Sequence, residues 1–432
     1  MKLLSISIAS LGLASAISLN TRSNDYEGTT VWRVTVGSNG AKLLQIIKDL
    51  SLQTWKGHAE TSPVVDVMVA PSVLDKFKES TKTWDAVLMH KNLGESIKAE
   101  GDFPIYPGTS VASFDEGDVS IQAVPDASWF NAYHSIADHT QWLNDLAAAF
   151  PDNAETFSVG KSLEGRDILG IHIWGSGGKA SKPGIVWHST VHAREWVTTM
   201  VNEYAAYQLL TATDAKTKAY KDKYDFYILP IVNPDGFAFS QTGDRMWRKN
   251  RQKTTSASCL GRDINRNWPH SSWSQRGGAS TSPCAQDYKG EASGDGVETK
   301  LLKAHLDSVS AAKGLQLYMD IHSYSQLFMY PYGYTCSGTV PLAATYQRLT
   351  AGAIAAIKAV HGTTFTGGPI CNTIYQVSGD SVDYALENAK AKFSMTVELR
   401  DTGNFGFILP AAQIKPSGEE MWAGLAYLLD NM

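Results

Sequence analysis

The run His192-Ala193-Arg194-Glu195, answered far downstream by His322 in Asp320-Ile321-His322-Ser323-Tyr324, constrains this chain more than any other feature. An imidazole and a carboxylate separated by two residues can turn toward one point from a tight strand-to-helix bend. A third ligand on a distant strand then completes a three-ligand metal site with an open fourth position. Two His and one Glu suit a catalytic zinc. The HxxE pattern alone is weak, because helices and loops carry it by chance, so the reading depends on what accompanies it.

A fold able to bring such distant residues together needs a large core. The 432 residues are 43% hydrophobic and 19% charged, which supplies one and argues against widespread disorder. A net charge of −5 gives no reason to expect nucleic acid or an acidic membrane as partner. Met1-Lys2, the apolar run Leu3 to Leu13 and Ala14-Ser15-Ala16 read as a secretory signal, residues 1–16, with a small-residue cleavage site. No later stretch has the length and apolarity of a membrane span. The expected product is secreted, extracellular and monomeric. Four cysteines, Cys259, Cys284, Cys336 and Cys371, fit two disulfides in an exported chain. Three pairings are possible and spacing does not choose among them. Cys259–Cys284 with Cys336–Cys371 is preferred because each closes one loop. No Asn-x-Ser/Thr sequon is present.

Two folding units are expected. Residues 17–100 contain short β-rich runs at 29–36, 64–69 and 86–90, with helical periodicity at 42–50, after Pro71, and near 95–100. This predicts a small α/β open sandwich. Residues 101–125 are acidic and Gly/Pro/Ser-rich, and no Lys or Arg lies between Lys98 and Lys161, so an exposed linker is expected. Residues 126–432 alternate apolar strands (168–174, 184–189, 226–232, 315–321, 393–399) with helices (136–150, 195–210, 296–313, 341–360). That alternation predicts a mixed, largely parallel sheet covered by helices on both faces, with the site beyond the strand ends. His188 lies on a predicted strand and is expected to be a packed, hydrogen-bonded residue.

Further residues belong with the metal triad. Asp263 is a candidate for orienting a ligating imidazole. Arg245, Arg248 and Arg266 are dense enough to recognise a carboxylate or steady an oxyanion, although such arginines more often form structural ion pairs. Glu398, at the end of an apolar strand, is costly unless paired or catalytic. Tyr375 stands beside a Gly/Ser-rich loop and can close over substrate, though such a Tyr more often simply packs.

At these residues the chain resembles the zinc metallocarboxypeptidases of the pancreatic carboxypeptidase A/B group. His192-Ala193-Arg194-Glu195-Trp196, Met246-Trp247-Arg248-Lys249-Asn250-Arg251, Asp263-Ile264-Asn265-Arg266-Asn267-Trp268, His322-Ser323-Tyr324-Ser325-Gln326 and Glu398-Leu399-Arg400-Asp401-Thr402-Gly403 stand in the family's order. Carboxypeptidase A is itself a standard example of the two-His, one-Glu zinc set, so the ligand assignment is no independent discovery. The resemblance implies a latent zymogen with an inhibitory prodomain and one Zn2+ held by His192, Glu195 and His322. It implies Glu398 as general base and acid, and Arg248 as the group polarising the scissile carbonyl. Asn265, Arg266 and Tyr375 would hold the free C-terminal carboxylate of a peptide substrate. Arg194 and Arg245 would line its approach, and Ser323 and Tyr324 belong to the same substrate-binding set.

The family position that sets specificity is Val382, with Ile370, Ile374, Val377 and Thr396 as walls. This implies an apolar pocket for aromatic or aliphatic C-terminal residues. Asp380, where the family favours Gly, opens a second reading with polar or basic ends. Thr190 replaces the Gly expected before the HxxE motif, and Asp383-Tyr384 stands where Asp-Trp is common. A secreted binding protein without turnover would lack the base or a metal ligand, and all are present. An endopeptidase would leave Asn265 and Arg266 no carboxylate to hold.

Overall fold

The strand Gly184–Ser189 reads Gly-Ile-Val-Trp-His-Ser, and every one of its residues is buried. So apolar a strand needs cover on both faces, and it takes a central place in a sheet. The computed structural model describes residues 26–59, 62–109 and 123–432. The expected leader and residues 110–122 of the expected linker lie outside them.

The first unit runs β1 (Thr30–Thr35), α1 (Gly40–Asp49), β2 (Gln53–Lys56), β3 (Val64–Val69), α2 (Leu74–Thr81), β4 (Ala86–His90) and α3 (Leu93–Ala99). Its antiparallel sheet has the order β2-β3-β1-β4. Alternation along the strands gives it two apolar faces. Val34, Val65, Val67 and Val69 pack under Leu43 and Ile46 of α1 and Phe77 of α2. Val31, Trp55 and Met68 point the other way, onto Met246, Tyr324, Phe407 and Ile408 of the larger unit. The sandwich is open by itself and closed by its neighbour. Strand β2 was not evident in the sequence, because Gln-Thr-Trp-Lys is a four-residue edge strand with little apolar alternation.

The larger unit continues with α4 (Ile136–Ala148), β5 (Ala154–Lys161), β6 (Asp167–Ile173), β7 (Gly184–Ser189), α5 (Trp196–Thr211), α6 (Ala215–Lys223), β8 (Asp225–Leu229), α7 (Pro234–Thr242) and α8 (Val297–Lys313). After these come β9 (Leu315–His322), β10 (Leu327–Tyr330), α9 (Ala343–His361), β11 (Thr366–Pro369), α10 (Ile370–Thr373), α11 (Ser381–Glu387), β12 (Phe393–Glu398) and α12 (Ile414–Asn431). The eight strands are ordered β11-β10-β12-β9-β7-β8-β6-β5. The run β12-β9-β7-β8 is parallel and is flanked by antiparallel pairs, β10 with β12 and β6 with β8; beyond these β5 is antiparallel to β6 and β11 is parallel to β10. Apolar clusters lie on both faces of the sheet, one under α4, α5, α9 and α12 and the other under α8 and α11.

Cys259 is joined to Cys284 and Cys336 to Cys371, the preferred pairing. Residues 101–109 are largely exposed, as their composition implied, but two of their side chains dock on the larger unit. Phe103 packs on Trp196 with ring centroids 5.4 Å apart, and the Tyr106 hydroxyl donates to Asp145 at 3.0 Å. Among the described residues no helix is long and apolar enough to cross a membrane.

His188 is fully buried in β7, where its Nδ1 lies 3.1 Å from the Tyr318 hydroxyl. Burial pushes its pKa down to about 4, against a smaller opposing effect of Asp320. The folded chain holds this imidazole neutral, whereas the unfolded chain protonates it near pH 6.5. Its contribution is therefore complete above pH 6.5 and lost as pH falls toward 4, on the order of 3 kcal/mol. Chemical denaturation across that range should show stability falling, with a shallower fall in His188→Gln. Equal slopes would contradict a neutral buried His188.

Candidate active site

Three neighbouring parallel strands deliver the site residues at their carboxyl ends. Strand β9 ends at His322 and β12 ends at Glu398, and the two residues are register partners. Strand β7 ends at Ser189, and the chain then turns at Thr190, whose φ of 54° is left-handed. A β-branched residue pays for that conformation. Here the Thr190 hydroxyl bonds the Pro230 carbonyl at 2.8 Å and the Thr198 and Thr199 hydroxyls at 3.1 and 2.5 Å. The turn brings His192 back over the strand ends. Glu195 follows immediately before α5, where the helix N-terminus favours a negative charge.

His192, Glu195 and His322 offer ligand atoms that all lie within 4.8 Å of one another. Both imidazoles present Nδ1 to the common centre: the two Nδ1 atoms are 3.2 Å apart, and they lie 2.8 Å (His192) and 3.2 Å (His322) from the Glu195 carboxylate. Their Nε2 atoms face carboxylates outside the centre, His192 toward Asp263 at 3.1 Å and His322 toward Asp320 at 3.2 Å. Carboxylate-backed imidazoles with facing lone pairs form the donor set of a zinc centre. Burial opposes ionisation of Glu195, but the His192 and His322 charges outweigh it and hold its pKa below the usual range. Burial likewise opposes the His322 cation, and Asp320 and Glu195 reverse the balance, raising its pKa. Glu398 is pushed up to about 8 by burial and then by the Glu195 charge. A dication beside it acts in the opposite sense.

Asp263 is fully buried and gathers the rest of the cleft. One oxygen accepts from the Asn265 amide at 2.9 Å and faces His192; the other accepts from Arg248 Nη2 at 2.7 Å and Nε at 3.1 Å. Burial disfavours the Arg248 cation, yet Asp263 and Glu195 hold its pKa above the usual value. Asn265 Oδ1 accepts from the Ser381 amide at 2.9 Å. Arg266 is buried and donates Nη1 to the Asn265 carbonyl at 2.9 Å, while its Nε has no partner among the described residues. A buried guanidinium with an unused N–H fits a carboxylate ligand. Tyr375 stands at the mouth. Met329, Ile370, Ile374, Val377, Val382 and Thr396 shape the adjoining recess, part of a cleft of about 470 Å³ including its open mouth.

The first unit covers this cleft. Arg194 Nη2 donates to the Trp55 carbonyl at 2.9 Å, Lys56 Nζ reaches the Ser325 hydroxyl, and His58 meets Tyr375 edge-on at 5.1 Å. Arg33 forks onto Asp66 at 2.7 Å, and Asp66 accepts from the Tyr324 hydroxyl at 2.6 Å. Tyr324 likewise packs under the first unit. Arg245 is 0% exposed, forks onto Glu100 of the first unit at 2.6 and 2.8 Å and stacks 3.6 Å over Trp196, so that in the covered chain it is held in a structural ion pair. Ser323 contributes its amide, 3.3 Å from Glu195.

Comparison with known proteins agrees with this geometry. The zinc carboxypeptidase family profile matches residues 139–424, and that of the carboxypeptidase activation peptide matches residues 32–100. The chain belongs to the zinc carboxypeptidase family. It is 48% identical to metallocarboxypeptidase A of Trichophyton rubrum over 408 residues, covering 94% of this chain and 93% of that one. Carboxypeptidase A4 of Mus musculus is 32% identical, with 94% of each chain covered. The crystal structure of carboxypeptidase A from Helicoverpa armigera superposes with a TM-score of 0.78 at 27% identity, covering 94% of this chain and 98% of that one.

As a zinc metallocarboxypeptidase with an activation peptide, the chain carries residues that sequence reasoning passed over. Asp320 backs His322 and is itself held by the Ser381 hydroxyl at 2.6 Å. It is two residues before His322 on one strand, hence on the same face, and that spacing was a usable signal. Trp55, Lys56 and His58 gave no comparable signal, because their role depends on contact with another unit. Asp263→Asn should weaken zinc retention about 10- to 100-fold, read by titration with a competing chelator. Unchanged retention would leave Asp263 no part in orienting His192.

Proposed function

We propose that this zinc carboxypeptidase is a secreted, monomeric exopeptidase made as a zymogen. It removes C-terminal residues with hydrophobic or aromatic side chains from peptides. The observation that carries the reading is the pairing of the metal-candidate triad with a buried Arg266 N–H that lacks a partner among the described residues, beside an apolar recess. An exopeptidase must tell a terminal carboxylate from an internal amide, and a buried fork does so better than shape.

In this reading His192, Glu195 and His322 hold Zn2+, which supplies Lewis acidity at the scissile carbonyl. Asn265, Arg266 and Tyr375 bind the substrate carboxylate and fix the last residue over Val382. Glu398 takes a proton from the attacking water and delivers it to the leaving amine. Arg248, kept charged by Asp263, donates to the carbonyl oxygen as negative charge develops there. Residues 17–100 inhibit by covering the cleft, a leader at 1–16 directs export, and cleavage within 101–125 releases the activity held by 126–432.

Processed protein should release Phe, Leu or Tyr from peptide C-termini, lose activity on chelation, and leave C-terminally amidated peptides intact. Glu398→Gln should lower kcat by about 10²–10⁴ with zinc still bound; substantial residual activity would remove Glu398 from the mechanism. Limited proteolysis within residues 101–125 should raise peptidase activity, and equal activity before and after would rule out latency. In Glu100→Gln the buried Arg245 loses its counter-charge, a loss worth about 3–5 kcal/mol. The uncut chain should then show activity that the uncut wild type lacks.

A further inference from the structure

Helix α4 carries a second imidazole–carboxylate pair, apart from the metal triad. His139 is 4% exposed, and its Nδ1 lies 2.7 Å from Glu203 Oε1 on α5. The other Glu203 oxygen accepts from Trp129 Nε1 at 2.8 Å, so both oxygens of this buried carboxylate are committed. Trp129 and Phe237 meet the imidazole edge-on, with ring centroids 5.3 and 5.7 Å away. Glu203 thereby fixes which ring nitrogen is left over. That nitrogen, Nε2, bonds to no described residue and is not sealed from solvent.

The space it is left to is an apolar recess. Ile136, Leu143, Leu169, Pro230 and Ile231 form walls around His139 and Glu203, enclosing about 790 Å³ including the open mouth. No residue lining it also lines the catalytic cleft. The other polar side chains at its margin are engaged. The Thr140 hydroxyl donates to the Ile136 carbonyl at 3.0 Å, and Asp167 accepts from Ser158 and Lys161, each at 2.9 Å. Arg166, at the exposed rim, pairs with Glu164 at 2.6 Å and Asp235 at 2.8 Å. An apolar concavity of this size with one fixed, uncommitted polar atom has the anatomy of a small-molecule site.

We propose that this recess binds a small hydroxylated aromatic molecule, its ring between the aliphatic walls and its hydroxyl on His139 Nε2. A hydroxyl meets that nitrogen in either protonation state, donating to the lone pair of a neutral imidazole or accepting from the N–H of a charged one. The buried Glu203 carboxylate disfavours an anionic ligand. A plain hydrocarbon would displace water from Nε2 and leave it unpaired. The site is independent of the peptidase chemistry and stands or falls without it.

The test titrates the uncut chain with 4-ethylphenol and with ethylbenzene, which differ only by the hydroxyl, and reads Kd by ligand-observed NMR. 4-Ethylphenol should bind with a Kd of about 1 mM or below, and ethylbenzene about fivefold or more weakly. Leu169→Trp fills the recess and should abolish binding of both, which separates this site from the apolar catalytic cleft. His139→Gln keeps an amide donor for Glu203 but removes the ring nitrogen, and the preference for the phenol should fall toward one. Because that preference is a ratio read within one protein, a change of stability in the variant does not obscure it. A Kd for 4-ethylphenol above about 1 mM means that water alone meets Nε2, and the inference is overturned. A wild-type ratio of one or below, a ratio that His139→Gln leaves unchanged, or binding that survives Leu169→Trp overturns it equally.

Discussion

One buried carboxylate organises the cleft. Asp263 meets His192, Arg248 and the Asn265 amide with its two oxygens, and Arg266 lies 4.0 Å away. Burial alone would make its charge prohibitive, but Arg248, His192 and Arg266 hold its pKa well below the ordinary carboxylate range. Four groups with separate tasks are thus oriented by one residue, itself fixed at the start of a tight turn over Ile264–Arg266. Networks of this kind are worth more than the sum of their pairs, and a partly satisfied one is worse than none.

The second organising constraint is the shared face between the two units. On the face of the activation-peptide sheet that holds Val31, Trp55 and Met68, helix α3 supplies only Leu93 and Ile97, and Met246, Tyr324, Phe407 and Ile408 of the larger unit complete the cover. Polar contacts at its rim do the positioning: Arg33 reaches both Asp66 and the Thr402 carbonyl, and Glu100 is sealed against Arg245. Strand β2 is thereby laid across the strand ends from which the site is built. Cover of the apolar face and cover of the cleft follow from the same docking.

Much of this was legible in the residues themselves. Near-continuous apolar runs such as Gly184–Ser189 announced buried parallel strands, and the register of Glu398 with His322 follows from placing both at strand ends. The metal triad was legible because its spacing is unusual together with the accompanying motifs. What escaped was conditional on tertiary contact. Strands β5, β10 and β11 lie at the sheet margins, where pairing and not composition decides, and α12 went unread although it packs along α9. Arg245 and Arg248 read alike in the sequence, and only tertiary contact separates them: Arg245 forks onto Glu100 and Arg248 onto Asp263.

Thr190 bears on how such a centre tolerates change. Glycine would adopt the same backbone angle at no steric cost, so the hydroxyl is not there to permit the bend. It ties the bend to the Pro230 carbonyl just beyond β8 and to the opening turn of α5. The aim of His192 is thereby set by three separate segments in place of a local hinge. Drift in any one of them is resisted by the other two, and a permissive residue would give that mutual bracing away.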